Sequence, residues 1–149
     1  MTRSIERELQ VDAAPEVVYE VISSPRHLQE WGPDQAEFEP VPGATGVVVF
    51  RRDGDKVEPL TVVDADPPRR FSYRWSYTGD APTEANSLLV SFDLTPAAGG
   101  TALRFTEIGY DEAGKSGQTL ANHIAGWDHF LPRLAPYAAR LARSWPSGL

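Results

Sequence analysis

Between residue 36 and about residue 110 the chain is a succession of short runs cut by turn residues, and this punctuation constrains the fold more than any other feature. The runs are "AEFEPV", "TGVVVFRRD", "KVEPLTVVDAD", "RRFSYRWSY", "SLLVSFDLT" and "TALRFTEIGY". Between them stand Pro42-Gly43, Asp53-Gly54, Asp66-Pro67-Pro68, Gly79-Asp80 and Gly99-Gly100. Runs of this length bounded by glycine, proline and aspartate read as strands. Their hairpin-sized links join neighbours antiparallel, which predicts a meander of about six strands.

The alternation inside these runs says which face needs cover. In "FSYRWSY", Phe71, Tyr73, Trp75 and Tyr77 share one face, and Ser72, Arg74 and Ser76 share the other. Leu88, Val90, Phe92 and Leu94 align in the next run, and Leu103, Phe105 and Glu107 in the last. A sheet with one aromatic face must bury it against another layer. The segment from about Lys115 to Ala142 supplies that layer. At about 100° per residue its Leu120, His123, Trp127, Phe130, Leu134, Ala138 and Leu141 fall in one stripe. Pro132 removes one helical hydrogen bond and predicts a kink, and both Pro132 and Pro136 project to the opposite face. Ahead of the meander, "SIERELQVDA" alternates as a strand with Ile5, Arg7, Leu9 and Val11 on its apolar side. "DAAPEVVYEVISSPRHLQEW" then reads as two short helices, with Pro15 in a first turn and Ser24-Pro25 at the break.

The expected fold class is therefore α+β. A curved antiparallel sheet of about seven strands wraps a long C-terminal helix, two short helices follow the first strand, and residues 1–149 form a single domain. Such a wrap leaves an apolar hollow between sheet and helix.

Composition narrows the partners. A formal charge of −7, with basic residues scattered along the chain, excludes the concentrated basic face that nucleic acid requires. There are no cysteines, hence no disulfides and no thiolate chemistry. No apolar run approaches the roughly 20 residues of a membrane span. "MTRSIERELQVDAAP" has no apolar core of the signal-peptide kind, so a cytoplasmic protein is expected.

Four pieces in order carry a family resemblance: "APEVVYEVISSPRHLQEW", "VVDADPPRRFSYRW", "GGTALRFTEIG" and "HIAGWDHFLPRL". Across nearly the whole chain the sequence resembles the START-like (SRPBCC) superfamily. Within it, the likeness is to the bacterial branch homologous to the activator of the heat-shock-protein-90 ATPase. The resemblance implies the helix-grip fold, with its first and last strands adjacent, and a cup for apolar or aromatic molecules. It does not choose among binding proteins, enzymes and chaperone-related modules, because function resides in the site and not the fold.

The segment "HIAGWDHFLPRL" holds two of the three histidines. Six residues separate them, about 120° around a helix, so they cannot share a metal as an i, i+4 pair does. His123 falls on the inner stripe, His129 points away, Asp128 is read as a surface carboxylate, and His27 lies on the surface of the second short helix. Glu107 is the anomaly, a carboxylate on the inward face of the last strand. With first and last strands adjacent, Arg7 would come near it. Three readings stand: a structural Arg7–Glu107 bridge, a polar anchor for a ligand, or acid–base chemistry by Glu107 with His123. Tyrosine and tryptophan on the inner face carry polar atoms that need partners when buried, which suits a pocket with a few polar handles. "GYDEAGKS" satisfies the spacing of a phosphate loop, yet it closes an antiparallel meander and carries Asp111 and Glu112 in the would-be cradle; it is read as an ordinary loop.

The expected function is binding of an apolar or aromatic small molecule, of lipid or polyketide-like kind, between sheet and last helix. Tyr73, Trp75, Phe92, Phe105, Leu120 and Trp127 would line the cup, with Glu107, His123 and Arg7 as polar anchors. No catalytic residue, metal or cofactor is assigned. The alternatives are a cyclase, dehydratase or hydrolase on the same scaffold, or an interaction module. A homodimer is left open as a partner.

Overall fold

The structure, a computed structural model, describes residues 3–51, 54–76 and 79–145. Tyr77, Arg52 and Asp53 lie outside the described residues. The elements follow the order β1 (Ile5–Val11), α1 (Pro15–Ser23), α2 (Pro25–Trp31), β2 (Gln35–Glu37), β3 (Thr45–Phe50), β4 (Lys56–Asp66), β5 (Arg70–Trp75), β6 (Leu88–Ala97), β7 (Gly100–Ile108) and α3 (Gly117–Arg143).

The sheet order is β1-β7-β6-β5-β4-β3-β2, antiparallel throughout. Six consecutive strands thus pair with their chain neighbours, and β1 closes the far edge against β7. A register shift between Val62 and Asp64 in β4 interrupts the pairing with β5, the kind of irregularity that bends a sheet. Gly100 is required where β7 starts, because a Cβ there would stand 2.2 Å from the Val11 carbonyl oxygen of β1.

Both short helices begin at the prolines, each at the first helical position. There the missing N–H removes a donor that has no partner in the helix anyway. Val17, Val18, Val21 and Ile22 of α1 and Leu28 and Trp31 of α2 are buried, closing one end of the sheet. Helix α3 begins at a Ser116 cap whose hydroxyl accepts the Thr119 backbone N–H. It runs through Pro132 and Pro136, both exposed, and buries His123, Trp127, Leu131, Leu134 and Ala138. The would-be phosphate loop is a turn into this helix. In it Lys115 donates to the Ser76 carbonyl at 2.9 Å, and Asp111 takes the Arg3 guanidinium. No helix among the described residues is long and apolar enough to cross a membrane.

Candidate functional site

The inner face of β5 and the stripe of α3 meet over one carboxylate. Glu107 is 0% exposed. Its Oε2 accepts the Trp75 indole N–H at 2.9 Å. Its Oε1 accepts the Trp127 indole N–H at 3.1 Å and the Tyr110 hydroxyl. The Nδ1 of His123 lies 2.8 Å from the same oxygen. An oxygen that already accepts from an indole and a phenol acts here as an acceptor, so we assign the hydrogen of that contact to Nδ1. Four side chains from β5, the β7–α3 loop and α3 are thereby tied to one strand. Burying a carboxylate is tolerable only when its lone pairs are met in this way.

Beside this knot lies a cavity of about 810 Å³. Its depth is walled by Trp31, Leu60, Tyr73, Trp75, His123 and Trp127. The rings interlock: Trp75 and Trp127 centroids are 5.9 Å apart, Trp75 and His123 5.7 Å, and Tyr73 and Trp75 5.8 Å in an edge-on pair. Gly126 opens the wall at α3, and Phe50 and Phe130, 5.7 Å apart, flank the hollow. Burial pushes the Tyr73 hydroxyl upward, and the nearby Glu107 charge pushes the same way.

Of the residues expected to line the cup, Tyr73, Trp75, His123 and Trp127 do so, and five do not. Phe92 and Phe105 face inward, but they lie under the helices as core. Phe92 meets Trp31 edge-on, and Phe105 stands 4.4 Å from Trp127. Leu120, half-buried, packs against the core near the start of α3. Glu107 sits behind the rings that it holds.

Arg7 corrects the expected bridge. Its Cα pairs with Phe105, while Ile5 pairs with Glu107. The guanidinium reaches Asp128 of α3 at 2.9 and 3.2 Å. A long cationic side chain that starts on an apolar face keeps its head in water when a partner is available at the edge. Asp128 is therefore tied across the sheet edge rather than left as a lone surface carboxylate, and the Arg7 hydrogen bond holds its pKa below the usual range. His129 is exposed but stands at the cavity rim. His27 is held by Tyr137, with Nδ1 2.7 Å from its hydroxyl.

One residue of the site escapes the sequence pattern, and one buried carboxylate outside the cavity wall obeys it. Tyr110 follows Gly109, whose φ of 108° ends the strand's alternation. The turn folds the phenol back onto the carboxylate three residues earlier. Glu58 follows the same alternation as Glu107: Lys56, Glu58, Leu60 and Val62 fall on one face of β4. It is 6% exposed, and its Oε2 has no hydrogen-bond partner among the described residues.

Burial raises the Glu58 pKa, against opposing pulls from a Gly79 backbone hydrogen bond and the charges of His123, Lys115 and Lys56. The folded state then keeps this proton at pH values where the unfolded chain has released it. Stability must fall as pH rises from the ordinary glutamate range through the raised folded value. Glu58→Met is thus expected to be more stable than the parent at pH 8 by about 1–3 kcal/mol. The gain should shrink below about pH 4, where both states hold the proton. Thermal melts across pH check this; a difference that does not change with pH contradicts it.

The fold and this aromatic cup over a polar knot define a helix-grip protein of the START-like class. Residues 12–139 match the family described as activator of Hsp90 ATPase homolog 1-like protein, and the chain belongs to that family. Among solved structures it is similar to a protein from Mesorhizobium loti, 25% identical with a TM-score of 0.77, the match covering 93% of this chain and 98% of the other. It is also similar to DynU16, a protein of the dynemicin biosynthetic locus, at 28% identity and a TM-score of 0.73. That match covers 90% of this chain but only 46% of DynU16. The Aha1 dimer from Colwellia psychrerythraea shares the fold at 20% identity, with a TM-score of 0.76 over 92% of this chain and 96% of that one. No functionally curated protein matches the sequence.

Proposed function

We propose that this protein binds an apolar or aromatic small molecule, of lipid or polyketide-like kind, in the hollow between the sheet and α3. The observation that carries the reading is the cavity of about 810 Å³ walled by Leu60, Tyr73, Trp75 and Trp127. Its size falls within the usual range for small-molecule sites, and it joins aromatic rings in its depth to polar side chains at its rim. The knot at Glu107 fixes both indoles, so the walls are in place before a guest arrives, and the ordering cost of binding is small. The likeness to DynU16, whose locus is a biosynthetic one, supports a small-molecule guest.

A neutral polycyclic probe, 1-pyrenebutanol, tests this. At saturation it should raise the melting temperature by a few degrees, because it binds the folded state alone. Trp127→Ala should reduce that rise, since it removes a wall. No shift at any soluble concentration contradicts the reading.

A second reading has one observation in its favour. His123 lines the cavity while its Nδ1 is held by Glu107, the arrangement in which a carboxylate orients an imidazole for proton transfer. A cyclase, dehydratase or hydrolase would use that pair on a bound substrate. An interaction module has less support. Its mark would be a broad apolar surface patch, whereas Val41, Val57, Val63, Ile108 and Ile124, the exposed large aliphatics among the described residues, are spread over a loop, β4, β7 and α3.

A further inference from the structure

The mouth of the cavity carries a charge opposite to that of the protein. The chain has 21 acidic and 14 basic residues. Among the charged residues that line the cavity, Arg51, Lys56 and Arg133 face a single acid, Asp34. All four are exposed, so they form the rim and not the depth. They come from three directions. Arg51 follows β3, Lys56 opens β4, and Arg133 projects from α3 on the other side of the hollow. The exposed His129 adds a fourth nitrogen-bearing side chain at the same rim.

The two guanidiniums of this rim are lightly tied. Asp34 accepts the backbone N–H of Arg51 at 2.7 Å, which leaves the guanidinium uncommitted to it. That guanidinium donates to the neutral Gln35 side chain at 2.6 Å and stands 3.7 Å from Asp55, in a pair with both partners half-exposed. Arg133 makes a single long contact, 3.4 Å to the Glu30 carbonyl, and has no ion pair among the described residues. Two lightly tied guanidiniums on opposite sides of the mouth, with Lys56 on the same rim, offer donors to an acid group there, in a molecule whose formal net charge is −7.

We infer that the guest is an amphipathic anion, its aromatic or apolar body in the cavity and its carboxylate or similar acidic group at the rim, held by Arg51, Lys56 and Arg133. This inference rests on the proposed binding function and specifies its ligand class. Guanidinium groups suit a planar acid group, which they meet with paired N–H donors.

Three congeners separate the two ideas: 1-pyrenebutyrate, 1-pyrenebutanol and 1-pyrenebutylamine, which share a body and differ in head-group charge. Binding is read from energy transfer between the cavity tryptophans and pyrene. The butyrate should bind about tenfold tighter than the butanol, from the sum of several surface-type ion pairs, and the amine should be the weakest of the three. Raising salt from about 0.05 to 0.5 M should shrink the preference for the butyrate, because rim charges are screened. In the double variant Arg51→Gln/Arg133→Gln, the ratio of butyrate to butanol affinity should fall to within about twofold of unity. Butyrate binding no tighter than butanol, tightest binding by the amine, or a preference that survives the double variant overturns the inference while leaving the cavity as a binding site. Failure of all three congeners to bind overturns the binding function and this inference with it.

Discussion

Replacing Glu107 with alanine is expected to destabilise the protein by about 3–5 kcal/mol, the range for removing one partner from a buried charged network. The reason is the number of groups that depend on it. Two indole N–H groups, a phenol and an imidazole nitrogen converge on its two oxygens, and all of them are buried. None can turn to water without leaving the core. For a chain of this size the loss corresponds to a fall of some 10 °C or more in melting temperature. Glu107→Gln separates shape from hydrogen bonding. Its amide oxygen can take the place of Oε1 for Trp127, Tyr110 and His123, but its NH₂ then meets the Trp75 N–H, donor against donor. The glutamine variant should lie between parent and alanine. Urea unfolding followed by tryptophan fluorescence measures all three. An alanine variant within about 0.5 kcal/mol of the parent, the scatter of ordinary surface changes, would show that the carboxylate does not organise the site.

The second large effect has opposite signs for stability and binding. Gly126 lies in the middle of α3 on the cavity wall, and a Cβ built there meets no atom within 4 Å. Gly126→Phe relieves the helix of a glycine, worth about half a kcal/mol. It also places a ring against Trp127 and the hollow, where burial of apolar surface adds about 1 kcal/mol or more. The variant should therefore melt a few degrees higher than the parent. Its affinity for 1-pyrenebutanol should nevertheless fall at least about tenfold, because the ring occupies the guest's space. An open cavity is a stability cost that a binding protein retains for function. A variant that melts lower and binds equally well would mean that Gly126 faces something other than the binding space.

Much of this was legible in the sequence, and the remainder was lost for identifiable reasons. Strand alternation gave the inward faces of β5, β6 and β7, and the 3.6-residue stripe brought His123 and Trp127 onto the same side of α3. Alternation fixes where a Cα–Cβ bond points, however, and not where a long side chain ends. Arg7 starts inward, yet its guanidinium bonds Asp128. Nor does alternation tell wall from floor. Phe92 and Phe105 are as inward as Tyr73, and only the placement of the helices over the sheet decides which rings are covered and which face the hollow. Tyr110 was hidden by the left-handed Gly109, after which no period applies. Glu58 obeys the alternation, but so does the exposed Lys56 on the same face, and alternation alone does not say which of two charged side chains the fold buries. The basic rim was invisible for another reason: Arg51, Lys56 and Arg133 are scattered in the chain, and only the fold, which sets α3 across the hollow from β3 and β4, gathers them.

The central claim is that the hollow between sheet and α3 is a binding site. A crystal structure of the protein grown with 1-pyrenebutanol tests it most directly. Density for the pyrene rings is expected in the hollow against Trp75 and Trp127, with the knot at Glu107 unchanged behind them. A hollow closed by its own side chains, with the probe bound elsewhere or not at all, would contradict it.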